Sequence, residues 1–161
     1  PKYFRDKRIP YFFDPGQSIP ALSAEALKDG ITGSAAVFAN DYELSMMGKK
    51  TGWSEKEIAD KTGMLIVTLG EQCSRVIAND KEIQITPVFV QKVVDPPGAG
   101  DAHRAGWIDG FLKQLPLEVT GRLASTVAAY AIEHVGTQNH TFTVEDVKKR
   151  YQRVYAETLE I

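Results

Sequence analysis

Gly98, Ala99, Gly100 and Asp101 stand together in the stretch VVDPPGAGDAHRAGW, at the point where a β-branched run gives way to a helix-like one. Three residues with little or no side chain let backbone N–H groups approach a ligand closely, and a helix starting there aims the positive end of its dipole at the same spot. Such a turn suits an anion, phosphate above all. Asp101 in the first helical turn has two readings. It is either an acid placed favourably against the dipole, or a base that takes a proton from an attacking hydroxyl while the amides hold charge on the transferred group.

The spacing is not that of a Walker A loop, because G-x-x-x-x-G-K-[ST] is absent, and GAGDAHRAG does not match G-x-G-x-x-G. A dinucleotide-dependent oxidoreductase is disfavoured for the same reason, and because the glycine turn comes late in the chain. His103, His134 and His140 lack metal-ligand spacing, and the single cysteine, Cys73, has no partner for a disulfide or a zinc site. Of the histidines, His140 in GTQNH has a functional prospect because it falls in a loop.

The elements that must position this turn alternate. IPYFFD (9–14) reads as a strand running into the Pro-Gly turn DPGQ. LSAEALKDG reads as a helix capped by Ser23 and stopped by Gly30. AAVFA (35–39) is a buried-type strand ending at Asn40, and short helices follow in DYELSMMG and SEKEIADKTG. MLIVTLG (64–70) is the most strand-like run, SRVIAND and KEIQITP form a hairpin about Asn79-Asp80, and VFVQKVVD returns as a strand. Three helices close the chain, from about Ala99 to Leu112, Leu117 to Val135 and Val144 to Leu159. This order predicts an α/β fold with a mostly parallel sheet, in a single domain over residues 1–161.

In such sheets ligands bind beyond the carboxyl ends of the strands. Four turns fall there: DPGQ with Asp14 and Gln17, NDYE with Asn40 and Glu43, TLGEQ with Thr68 and Gly70, and DPPGAGD. The totals exclude other classes of function. The 161 residues carry 19 basic and 21 acidic side chains, a net charge of −2, which gives no footprint for nucleic acid or an anionic membrane. No apolar run is long enough to span a bilayer, and a cytoplasmic home is expected.

Taken together and in order, DPGQ, NDYE, VTLGEQ, DPPGAGD and the closing GTQNH resemble the ribokinase, or PfkB, family of carbohydrate and nucleoside kinases, with bacterial adenosine-kinase-like or generic sugar-kinase members the most similar. The resemblance implies a layered α/β/α ribokinase-like fold and ATP-dependent phosphotransfer to a hydroxyl of a sugar or nucleoside. Asp101 would be the general base, and the amides of Gly98, Ala99 and Gly100 the anion hole. Asn40 and Glu43 would act on the nucleotide phosphates, Glu43 through water on Mg²⁺. Thr68, Gly70, Ser125 and His140 would line the nucleotide site, with Asp14 and Gln17 toward the substrate.

The sequence departs from the family pattern where Pro96 and Pro97 follow Asp95 in place of a threonine and its neighbour. This removes a hydroxyl and two N–H donors and argues against a monovalent-cation site. His103 stands where Phe or Tyr is usual. The resemblance implies only the C-terminal half of such a kinase, without the N-terminal sugar-binding strands and lid, and Pro1 opens the chain with no initiator methionine. The expectation is a fragment or processed chain, weak or inactive alone, with an exposed half-sheet to be covered by another copy or an N-terminal partner. The alternative is a non-catalytic nucleotide- or phosphate-binding subunit that needs such a partner.

Overall fold

The computed structural model describes residues 1–161, which pack as two compact units, Pro1–Gln84 and Ile85–Ile161. In the first unit, helix α1 (Lys2–Asp6) leads to strand β1 (Phe12–Phe13). A 3₁₀ turn (Gly16–Ala21), helix α2 (Ala24–Ile31) and strand β2 (Ala36–Asn40) follow. Helices α3 (Asp41–Thr51) and α4 (Glu55–Lys61) precede strands β3 (Leu65–Thr68), β4 (Ser74–Ala78) and β5 (Lys81–Ile85). The sheet order is β1-β2-β3-β4-β5, with β1/β2 and β2/β3 parallel and β3/β4 antiparallel. The expected α/β architecture with parallel pairing is therefore present.

On one face of the parallel strands Val37, Ala39, Leu65 and Val67 pack in a core with Leu27, Ile31, Met47 and Ile58, and the alternate residues Ala36, Phe38 and Ile66 are buried too, which suits continuous apolar runs. The β4–β5 hairpin turns on Asn79 (φ 51°) and Asp80 (φ 58°), two left-handed residues in succession as a tight hairpin requires. Ser23 caps α2 as expected, accepting from the Ala26 N–H at 3.1 Å. Gly30 does not stop that helix. It is buried inside α2, where a Cβ would lie 2.4 Å from the Phe13 ring, and the chain leaves the helix at Thr32.

Two expected strands are shorter or absent. Only Phe12 and Phe13 of the 9–14 run pair, with Ala36 and Val37, because Pro10 has no N–H and the Ile9 N–H goes to the Phe4 carbonyl at 2.9 Å. VFVQKVV joins no sheet. Instead Val94 and Asp95 both donate to the Ile132 carbonyl (2.8 and 3.2 Å), between prolines that cannot donate at 87, 96 and 97.

The second unit is helical: α5 (Ala99–Leu112), α6 (Leu117–Ile132) and α7 (Val144–Tyr155). α5 and α6 approach closely at glycines; a Cβ on Gly106 would sit 2.5 Å from Ala124 Cα, and one on Gly110 2.6 Å from the Thr120 side chain. Leu123, Val147, Tyr151 and Leu159 form the core between α6, α7 and the C-terminal segment. Thr143 and Asp146 cap α7 reciprocally. No helix is long and apolar enough to cross a membrane.

Candidate active site

In the first unit the carboxyl ends of β2 and β3 lie side by side, with Asn40 in direct register with Thr68. Asn40 ends β2 and caps α3. Its Oδ1 accepts from the Glu43 N–H (2.7 Å), and Glu43 Oε2 accepts from the Asn40 N–H (2.8 Å). N-x-x-E is thus a complete capping box, a local reason for these two residue types at this spacing that involves no ligand. It also fixes both side chains at the strand end, leaving the second carboxylate oxygen of Glu43 outside the cap.

Thr68 is half-buried at the end of β3, paired with Ser74. Gly70 (φ 59°) turns the chain back, with Leu69 donating to Cys73 (2.9 Å) and Gln72 to Leu69 (3.2 Å). Nothing lies within 4 Å of a Cβ at Gly70, so the left-handed backbone alone calls for glycine there. Asp14 and Gln17 are exposed in the turn after β1. Because Phe13 is in register with Val37, they branch off two residues before the level of Asn40. Cys73 is buried, with Gln84 donating to its sulfur at 3.3 Å.

In the second unit the segment 95–101 is a constrained turn. Pro97 and Gly98 (φ 91°) form its corner, closed by the Ala99 N–H donating to the Pro96 carbonyl at 3.2 Å. Proline followed by a positive-φ glycine is the sequence a type II turn demands. Gly98 is the N-cap of α5, and the first intrahelical bond runs from Ala102 N–H to Gly98 O (3.0 Å). The amides of Ala99, Gly100 and Asp101 therefore precede the helical ladder, as an anion cradle needs. Of these, the Ala99 N–H is engaged by Pro96 in this conformation, a constraint added by the prolines.

Asp101 is 85% exposed at the mouth of the turn, within 3.4 Å of Arg104 Nη1. A second loop is stitched onto it: Gly136 N–H donates to Asp95 Oδ2 at 2.8 Å, and a Cβ on Gly98 would lie 2.9 Å from Thr137 Cα. The GTQNH segment is thereby held against the glycine turn. His140 follows, its ring stacked on Phe142 (5.8 Å, 10°), which in turn packs on Tyr130 (4.8 Å). The Arg150 guanidinium lies over the Tyr130 ring at 4.3 Å and pairs with Glu133.

Ser125 lies on the face of α6 that meets α7. Near it is the Tyr155 phenol, whose pKa burial pushes up to about 12, with the Ser125 hydroxyl acting in the opposite sense. That phenol donates to the Thr86 carbonyl at 2.9 Å. Ser125 thus lies in the helix packing in this structure. His103 is buried (6% exposed) with its ring 6.5 Å from Trp107, and its Nε2 has no protein partner. Burial, and then the nearby Arg104 charge, lower its pKa to about 4, so it is neutral near pH 7.

The contribution of Asp95, Gly136 and Thr137 to the turn is invisible in the sequence, because 41 residues separate the hydrogen-bonded pair. No cluster of three or more His, Cys, Asp or Glu side chains is built to hold a metal. A Mg²⁺ ion here would be held largely by nucleotide phosphates and water, its usual mode. Glu43 fits such an outer role because one of its oxygens is already committed to the α3 cap.

A family model described as pfkB family carbohydrate kinase matches residues 4–143. A nucleoside kinase of Methanocaldococcus jannaschii is 32% identical over 141 residues, covering 88% of this chain and 47% of that protein. The structure of Burkholderia thailandensis nucleoside kinase in complex with inosine superposes with a TM-score of 0.94 at 34% identity, over 98% of this chain and 52% of that one. The M. jannaschii nucleoside kinase structure, described as an archaeal member of the ribokinase family, gives 0.85 at 31%, over 89% and 48%. The chain spans about half the length of the relatives it matches. With the fold and the motif order in agreement, the chain belongs to the pfkB family of carbohydrate kinases.

Proposed function

We propose that this chain supplies the nucleotide-binding and phosphoryl-transfer part of a cytoplasmic ATP-dependent kinase acting on a hydroxyl, with a nucleoside as the favoured acceptor and a sugar as the broader class. The observation that carries the reading is the turn 95–101. Its amides precede the α5 ladder, its corner requires glycine, and Asp101 stands exposed at its mouth. The nucleoside preference follows from the relatives, among them the Burkholderia thailandensis enzyme solved with inosine and with ADP-inosine.

In this reading Asp101 accepts the proton of the acceptor hydroxyl, and the hydroxyl oxygen attacks the γ-phosphorus of ATP. The amides of Gly98, Ala99 and Gly100 receive the equatorial phosphate oxygens, Ala99 by exchanging Pro96 for phosphate. A phosphoryl-transfer transition state asks mainly for positioning and for donors aimed at developing charge. Asn40 and Glu43 orient water around the nucleotide phosphates, and bound Mg²⁺ supplies charge neutralisation there. Thr68 and Gly70 border the nucleotide, and His140, carried on the loop stitched to the turn, contributes beside it.

A second reading is a nucleotide-binding part without turnover that works with a separate N-terminal partner. It is favoured by the Ala99 N–H already held by Pro96. Transfer of labelled γ-phosphate from ATP, with protein in excess over nucleotide, to a panel including inosine, adenosine, ribose and fructose tests both. Acceptor-dependent product supports the kinase reading, and ATP binding with no transfer to any acceptor supports the second. Absence of ATP binding refutes both.

A further inference from the structure

The end of α6 carries both sides of the phosphoryl-transfer turn. On one side the Ile132 carbonyl accepts the Val94 and Asp95 N–H groups, so the segment entering the turn hangs from the last residue of the helix. On the other, the chain leaving α6 comes back to the turn four residues later. There the Gly136 N–H donates to Asp95 Oδ2, and Thr137 leaves no room for a Cβ on Gly98. Whatever fixes residues 130–133 therefore fixes both. α6 does not secure this end by itself, since it has no basic residue in its last turn to offset the carbonyl end of its dipole. Arg150, on α7, supplies that cation. Its guanidinium pairs with Glu133, the C-cap of α6, and lies over the Tyr130 ring three residues earlier. The Arg150 side chain is 10% exposed and that of Glu133 26%, so the pair is largely sheltered from salt. The same Tyr130 ring packs against Phe142, on which His140 stacks, and so also receives the other end of the returning loop. Val147 and Tyr151 of α7 are buried for an apolar core, whereas a buried guanidinium is costly and calls for a separate reason.

We propose that Arg150 is a positioning residue of the phosphoryl-transfer turn: by gripping Glu133 and Tyr130 it holds the end of α6, and through Ile132 and the 136–142 loop it sets the geometry of residues 95–101. The inference rests on the kinase reading of that turn. Arg150 touches neither nucleotide nor acceptor in this account. It limits how far the turn amides stray from the phosphate they receive. Phosphoryl transfer depends on positioning above all, and a small misplacement caused by a distant change is enough to slow it. An arginine suits the place better than a lysine. A planar guanidinium can pair with a carboxylate along its edge while its face covers an aromatic ring, two contacts that an ammonium makes less well together.

Amide hydrogen exchange and calorimetric titration with Mg-ATP, on the 161-residue wild type, Arg150→Met and Arg150→Lys, test the assignment. In Arg150→Met the amides of Val94, Asp95, Ala99 and Gly136 should exchange at least about tenfold faster and ATP should bind at least about fivefold more weakly. Exchange in the middle of α5 and α6 should stay within about twofold of wild type, which shows that the unit is folded. Arg150→Lys should recover part of both losses. Glu133→Gln keeps an acceptor for the guanidinium but removes the ion pair; it should give the same pattern at smaller amplitude, and it decides the matter if Arg150→Met does not fold. Faster exchange spread evenly over the three helices would make Arg150 a general stabiliser and overturn the proposal. ATP affinity unchanged in a folded variant would overturn it as well, and either result leaves the kinase reading standing. If wild type binds no ATP, the kinase reading falls and the proposal falls with it.

Discussion

Replacing Gly98 by alanine separates what the turn needs from what any left-handed glycine needs. At φ 91° a side chain is strained by roughly 1–2 kcal/mol. The new Cβ would also stand 2.9 Å from Thr137 Cα and 3.1 Å from Thr137 O, against ordinary contacts of about 3.5–4.0 Å. Because the obstacle is backbone, the 136–140 loop must retreat, loosening the Gly136 N–H bond to Asp95, worth about 1 kcal/mol. The total is about 3 kcal/mol. Gly136→Ala is the control: φ is 85°, but the Cβ would meet the amide end of the Asn139 side chain at 2.7 Å, which can rotate away. About 1–2 kcal/mol is expected there. Urea unfolding followed by Trp107 fluorescence in a Trp53→Phe background reports on the Ile85–Ile161 unit, where Trp107 is 2% exposed. Equal losses for the two variants would refute the argument that the GTQNH loop holds the turn by backbone contact.

The other predictions concern neighbouring parts of the machinery. His103 titrates near 4 when folded and near 6.5 when unfolded. Between those values the unfolded chain binds more protons, so the stability this group contributes is complete above about pH 6.5 and is lost as pH falls through about 4, roughly 3 kcal/mol in all. His103→Phe should flatten unfolding free energy across that window, and an unchanged pH slope would contradict the assignment of a buried neutral imidazole. Asn40→Ala should cost about 1 kcal/mol through loss of the capping box. Asn40→Ser, which keeps a capping oxygen, should restore stability without restoring ATP affinity; full ATP affinity in Asn40→Ser would reduce Asn40 to a helix cap.

The helices of the second unit were legible at their starts, near Ala99, Leu117 and Val144, but apolar spacing carried two of them too far, since α6 ends at Ile132 rather than Val135 and α7 at Tyr155 rather than Leu159. The Asn79-Asp80 hairpin was equally plain. The run before DPPGAGD looked like a strand because it is β-branched, but composition does not reveal where backbone hydrogen bonds go. There they go to the end of α6. Gly30 misled in the same way, since a glycine near a helix end reads as a stop, whereas here it makes room for Phe13. The site was legible as four turns, each by its local chemistry. What stayed hidden was contact between distant residues: Asp95 with Gly136, Gly98 with Thr137, and Ser125 with Tyr155. Asn40 and Glu43 show the opposite limit, a pair whose spacing is satisfied by helix capping alone.

The central claim is that Asp101 is the base of a phosphoryl-transfer site. Single-turnover transfer of labelled γ-phosphate from ATP to inosine by wild type and Asp101→Asn, at matched nucleotide occupancy, tests it most directly. General-base catalysis contributes typically 10²–10⁴-fold, so the variant should bind ATP and transfer at least about a hundredfold more slowly. Transfer by Asp101→Asn at the wild-type rate would contradict the account.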